Sequence, residues 1–194
     1  MAGSLVQTEA GVLQSVDAVE ITMNLHSRIG GVPENIQIKL NDRDVRITLE
    51  RRGCENGELW LLLPALSTVS SRGEWHAFAD AMDKRCQLVS FDWAGFGDSE
   101  RPAIAYDAKV LRDLLAGILQ HLQSADQVKV NIVAAGHSVP IALGLAEQCS
   151  SQWAQIVVVA PTFRGPLPTM TGRAGQSFSW VRRLVELPLV GPLL

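Results

Sequence analysis

The sequence predicts an α/β protein, a mostly parallel sheet with an antiparallel hairpin at its N-terminal end and helices on both faces. Three observations predict it. Two neighbouring segments alternate apolar and polar residues with period two, at 35–40 and 44–50. Short, continuous runs of leucine and β-branched residues recur after them. Between those runs, apolar residues repeat at helical spacing. Strands that alternate with helices build parallel sheets buried on both faces, so they read as unbroken apolar runs.

In order, Asn35-Ile36-Gln37-Ile38-Lys39-Leu40 and Asp44-Val45-Arg46-Ile47-Thr48-Leu49-Glu50 alternate strictly, and Asn41-Asp42-Arg43 supplies the turn of a hairpin. Glu58-Leu59-Trp60-Leu61-Leu62-Leu63 reads as a short buried strand. Ser71-Arg72-Gly73-Glu74 has the form of a capping box, and Trp75, Phe78, Ala79 and Met82 follow at helical spacing. A strand is expected over 86–92. Asp107 is placed to cap a long helix with a stripe of Val110, Leu111, Leu114, Leu115, Ile118, Leu119 and Leu122. Residues 128–134 form the next strand, 139–147 the next helix, and 155–160 another buried strand. Right-handed crossovers set which face each helix covers.

The stretch that carries chemistry is Val130-Asn131-Ile132-Val133-Ala134-Ala135-Gly136-His137-Ser138-Val139-Pro140. A β-branched strand runs into a tight turn with one hydroxyl at its tip, and an apolar helix follows. A strained turn of this kind keeps neighbours away from the serine, and the helix N-terminus behind it favours an oxyanion. The layout resembles the nucleophile elbow, G-x-S-x-G, of the α/β-hydrolases, with Pro140 at the last small position. Proline is tolerated in a first helical turn because its missing N–H has no partner there anyway.

Two upstream loops carry the same resemblance. Pro64-Ala65 stands where the family commonly has His-Gly after the third strand. The resemblance then makes the Leu66 and Val139 backbone N–H groups the oxyanion hole. Asp92-Trp93-Ala94-Gly95-Phe96-Gly97-Asp98-Ser99-Glu100-Arg101-Pro102 resembles the D-x-x-G-x-G-x-S-x-x-P loop of many members. Its acidic residues, Asp92 and Asp98, read as loop stabilisers. From about Ile36 to Pro168 the chain resembles the front two thirds of an α/β-hydrolase. The segments Leu63-Pro64-Ala65-Leu66-Ser67-Thr68-Val69-Ser70-Ser71-Arg72 and 160–170 are similar to hydrolase-like proteins of cyanobacteria and chloroplasts.

The family orders its triad serine, acid, histidine, yet no Asp and no His follows Ser138 in this chain. Glu147 falls within the helix after the elbow and Glu186 in the tail. Of the histidines, His137 is expected packed, His121 near the surface, and His76 is the least implausible substitute base. Without a base a serine hydroxyl is a weak nucleophile at neutral pH. The resemblance therefore implies an esterase or acyl hydrolase whose base and acid come from a missing C-terminal part, with this chain inactive alone. The rival expectation is a non-catalytic relative that binds a small apolar ligand or a protein partner.

Composition narrows the partners. A formal charge of −3 disfavours non-specific nucleic-acid binding. Cys54, Cys86 and Cys149 are odd in number and far apart, as in a reduced intracellular protein without a metal site. A cytoplasmic location is expected, with a plastid the alternative that the resemblance to chloroplast proteins implies. No cofactor is implied, and the expected ligand is a small apolar or ester-type molecule. No apolar run reaches the roughly 20 residues of a membrane span. Residues 178–187 read as an amphipathic lid helix, preferred over a basic membrane-surface helix, and an apolar tail follows. The expected organisation is an N-terminal extension of weak structure over 1–34, a hydrolase-like core over 35–168 and a partial lid over 169–194.

Overall fold

The structure, a computed structural model, describes residues 25–123, 129–148 and 152–162. The hairpin expected at the N-terminal end is present as β1 (Val32–Leu40) and β2 (Arg43–Gly53). Its turn has two residues, and both, Asn41 and Asp42, are left-handed at φ 48° and 61°. That backbone matches the twist of the flanking strands, and Asn and Asp are the side-chain-bearing residues that adopt it most readily.

The remaining strands are β3 (Glu58–Leu63), β4 (Cys86–Phe91), β5 (Val130–Ala135) and β6 (Trp153–Val159). They form one sheet in the order β1-β2-β4-β3-β5-β6. β2 pairs antiparallel with β1 and β4, while β3 pairs parallel with both β4 and β5, and β5 with β6. Side chains alternate between two cores. Leu61, Leu63, Val89, Phe91, Ile132 and Ala134 enter one; Leu62, Leu88 and Val133 enter the other. This is why these strands read as unbroken apolar runs.

The first core lies under α2 (Ala108–Gln123) and α3 (Ser138–Ala146), the second under α1 (His76–Met82). The α2 stripe is as expected: Val110, Leu111, Leu114, Leu115, Ile118 and Leu119 are all buried. Burying such side chains contributes about 1.5–3 kcal/mol each. Asp107 caps this helix, accepting the Val110 N–H at 2.8 Å. Among the described residues β6 is an edge strand, at the opposite side of the sheet from β1. The strand expected to be buried over 155–160 is instead exposed at Val157, Val158 and Val159, because no described strand pairs beyond it there. No described helix is long and apolar enough to cross a membrane.

Two further expectations change. The Ser71–Glu74 capping box does not form: Ser71 makes no side-chain cap, and Arg72–Trp75 is a short 3-10 helix leading into α1. The Glu74 carboxylate instead accepts from Ala65 N–H at 2.8 Å and Ser70 Oγ at 2.6 Å. The stretch before the hairpin is also held down. β1 already begins at Val32, Ile29 is fully buried, and the Glu50 carboxylate accepts from the N–H groups of Arg28, Ile29 and Gly31. The expected lid and tail lie outside the described residues, as do residues 1–24.

Candidate active site

The strand order places β4 on one side of β3 and β5 on the other. The chain therefore leaves β3 in one direction and returns on the opposite side, and such a switch opens a crevice at the carboxyl ends of the strands. Two short segments flank it, Pro64–Leu66 after β3 and Gly136–Ser138 after β5. They touch: a β-carbon on Gly136 would lie 3.2 Å from the Ala65 β-carbon.

The loop after β3 is pinned from three sides. Trp93 Nε1 donates to Pro64 O at 2.9 Å, Glu74 takes the Ala65 N–H, and Leu66 buries its side chain in the core. The Ser67 and Ser70 hydroxyls lie 2.7 Å apart, and Ser70 passes the chain on to Glu74. The loop thus carries its own polar relay, ending on a carboxylate.

The turn after β5 is tied to the outer strand. Gly136 N–H donates to Val159 O at 3.0 Å, and Gly136 O accepts from Thr162 N–H at 3.2 Å. Gly136 is left-handed at φ 53°. His137 is right-handed helical and leaves Nε2 buried without a partner among the described residues. Ser138 does not stand at the tip of the turn. It is the first residue of α3, fully buried, with no positive φ. Its hydroxyl donates to Ala135 O at 2.7 Å and also lies 3.3 Å from Leu63 O. Val139, fully buried, directs its N–H at Gly136 O over a long 3.4 Å.

Among the described residues, no imidazole bonds the Ser138 hydroxyl. His76 pairs with Asp80 at 3.2 Å and is exposed. His26 offers its backbone carbonyl to Arg72, and His121 is exposed in the last turn of α2. No group of three or more His, Cys, Asp or Glu side chains suited to a metal ion is found there either.

The loop after β4 ends on a buried charge cluster in which Arg72 and Glu50 join the two loop acids. Arg72, Glu50 and Asp92 are all fully buried. The Arg72 guanidinium bonds Glu50 at 3.0 Å, Asp98 at 2.9 Å, the Asp92 carboxylate and His26 O. Asp92 also accepts the Arg72 and Asp98 N–H groups, which makes both acids loop stabilisers, as expected. Burial pushes the Glu50 carboxyl up, but the Arg28, Gly31 and Ile29 N–H donors and the Ser27 hydroxyl outweigh it, and its pKa is lowered. Burial likewise opposes ionisation of Asp98, and hydrogen bonds from Arg28 and Arg72 overcome it.

A folded-state pKa below the unfolded one adds stability that is complete above the unfolded value, about 4 for these acids. It is lost as pH falls through the lowered folded value. Denaturant midpoints are therefore expected to hold from pH 7 to 5 and to fall between pH 4 and 2. A midpoint unchanged down to pH 2 would contradict the cluster.

A separate cleft of about 350 Å³ opens beyond Asp98, lined by Leu25, His26, Arg46 and residues 97–101. Neither Ser138, Leu66 nor Val139 lines it.

Residues 60–193 match the family model described as the alpha/beta hydrolase family. No curated protein matches the chain in sequence. Among solved structures, Cfl2 from Burkholderia cenocepacia superimposes with a TM-score of 0.62 at 20% identity, over 87% of this chain and 56% of that one. A thermophilic esterase from Thermogutta terrifontis gives 0.62 at 18% identity, over 79% and 52%. The haloalkane dehalogenase DbeA from Bradyrhizobium elkani gives 0.57 at 17%, over 66% and 42%. At these identities the likeness is one of fold, and the chain spans about half the length of the structures it matches.

Proposed function

The chain belongs to the alpha/beta hydrolase family, and we propose that it carries the serine and oxyanion half of an acyl-hydrolase site, without turning over esters by itself. Ser138 takes the nucleophile position and the Leu66 N–H one oxyanion-donor position. The Val139 N–H, directed at Gly136 O over a long 3.4 Å in this structure, would have to turn to the oxyanion to be the second donor. An acid and a histidine supplied by a longer form would complete it for an ester-type substrate. The observation that carries this reading is the Ser138 hydroxyl: it is fully buried and donates to Ala135 O at 2.7 Å, and among the described residues no imidazole bonds it. A hydroxyl committed to a carbonyl and lacking a base is not activated for attack. The Ala65–Gly136 approach supports the pairing of loop and turn.

The test is labelling of the 194-residue chain with a fluorophosphonate probe, alongside p-nitrophenyl butyrate turnover. No Ser138 adduct and no burst are expected, because the base normally supplies several orders of magnitude in rate. Rapid modification of Ser138 would sink the reading.

The helical backbone at Ser138 favours a second reading, a non-catalytic member that binds a small apolar ligand at this crevice. With a fluorescent fatty-acyl probe, Ser138→Ala should then leave binding unchanged. A large loss of binding would count against it.

A further inference from the structure

The cysteines, expected to be unrelated reduced residues, are not all apart. β2 and β4 run antiparallel, with Arg52 opposite Leu88 and Gly53 opposite Gln87. One step further the same register sets Cys54 against Cys86, and the Cys54 N–H donates to Cys86 O at 3.0 Å. Residues opposed in a hydrogen-bonded antiparallel pair have α-carbons about 5.5 Å apart. Disulfides commonly span about 4.4–6.8 Å between α-carbons.

Two glycines press the Cys54 turn onto Cys86. A β-carbon on Gly53 would lie 2.3 Å from Cys86 O, and one on Gly57 only 2.9 Å from the Cys86 α-carbon. Gly57 N–H closes the turn on Cys54 O at 2.9 Å. The pairing is therefore built into the backbone. The two thiols differ in access: Cys54 is exposed, whereas Cys86 is buried with Ile29, Leu62, Trp75, Ala79 and Leu88. Burial pushes the Cys86 thiol up, and the nearby Cys54 and Glu58 charges push it in the same direction.

We propose that Cys54 and Cys86 are a thiol–disulfide modification site, oxidised by a peroxide and restored by a dithiol. The Cys54 thiolate attacks one oxygen of hydrogen peroxide, the O–O bond breaks, and Cys54 becomes a sulfenic acid. The departing hydroxide takes up the proton that the thiol had given to solvent and leaves as water. The Cys86 sulfur then attacks the Cys54 sulfur, its proton leaves with the hydroxyl as a second water, and the S–S bond forms. Two thiols have then given two electrons to one peroxide, and two waters account for all the oxygen. Exposure puts Cys54 first and burial makes Cys86 the resolving partner. The bond lies at the amino end of β4, whereas Ser138 follows the carboxyl end of β5, so the site is independent of the acyl chemistry.

The experiment treats the reduced 194-residue chain with one equivalent of hydrogen peroxide, blocks free thiols with N-ethylmaleimide, and measures intact and peptide masses. The expected result is loss of two hydrogens, a single alkylated cysteine, Cys149, and a peptide joining Cys54 to Cys86 that dithiothreitol separates. Cys54→Ser, at an exposed position, should abolish the bridge, and Cys149→Ser should leave it. Three alkylatable thiols after treatment, a bridge to Cys149, a Cys54-linked dimer, or Cys54 carried on to a sulfinic acid would each overturn the proposal.

Discussion

Replacing Arg72 by methionine is expected to destabilise the protein by about 3–5 kcal/mol, the cost of removing one partner from a buried ion cluster. Methionine keeps the apolar stem but not the guanidinium, so the loss is of the charge and of its hydrogen bonds. Glu50 and Asp92 are fully buried, and the guanidinium is the cation that bonds both. Burial alone would make Arg72 easier to deprotonate, but Asp92, Asp98 and Glu50 raise its pKa instead. Lysine should recover only a minor part, because one ammonium cannot present the fork that meets three carboxylates and His26 O together. Guanidinium chloride denaturation of purified protein reads the effect. A loss below about 1 kcal/mol for the methionine variant would show that the cluster contributes little.

Gly97→Ala is expected to rank next, at about 2–5 kcal/mol from overpacking and backbone strain combined. Its β-carbon would sit 2.2 Å from the Asp92 carboxyl carbon, and the backbone there is left-handed at φ 47°. Asp92 cannot move aside, because it is buried and bonded to Arg72 and to the Asp98 N–H. Gly95 in the same loop is a useful contrast. Its β-carbon would meet the Tyr106 ring at 3.0 Å, and a half-buried ring has more room to shift. The Gly97 variant should therefore lose more in thermal midpoint than Gly95→Ala, and the reverse order would refute the packing argument.

Much of the fold was legible because local chemistry and the final environment agree. The α2 stripe, the Asp107 cap and the three central apolar strands each depend on neighbours close in sequence. Glu50 was not legible. It follows Val45, Ile47 and Leu49 in strict alternation and so reads as facing solvent, yet Arg28, Ile29 and Gly31 fold over that face and bury it. What covers the second face of a strand is decided by distant chain. Glu74 failed for a related reason: its distance from Ser71 suits a cap, but the Ala65 N–H and Ser70 hydroxyl compete for the same carboxylate and win. The spacing around Ser138 located the turn and the helix after it. It did not reveal which residue takes the left-handed backbone, and that residue is Gly136. The cysteine pair was hidden because distance along the chain says nothing about register between β2 and β4.

The central place of β3 has a consequence in time. One of its neighbours, β4, follows soon after it, but the other, β5, begins only at Val130. At a synthesis rate of about 5–20 residues per second, the delay between Leu63 and Val130 is roughly 3–13 s. During that interval the emerging β1-β2-β4-β3 sheet ends on the unpaired backbone of residues 60–63, the stretch that β5 later pairs. An open apolar edge is a template for pairing with the wrong strand. The nascent chain is thus open to mispairing along β3 until β5 arrives to cover it.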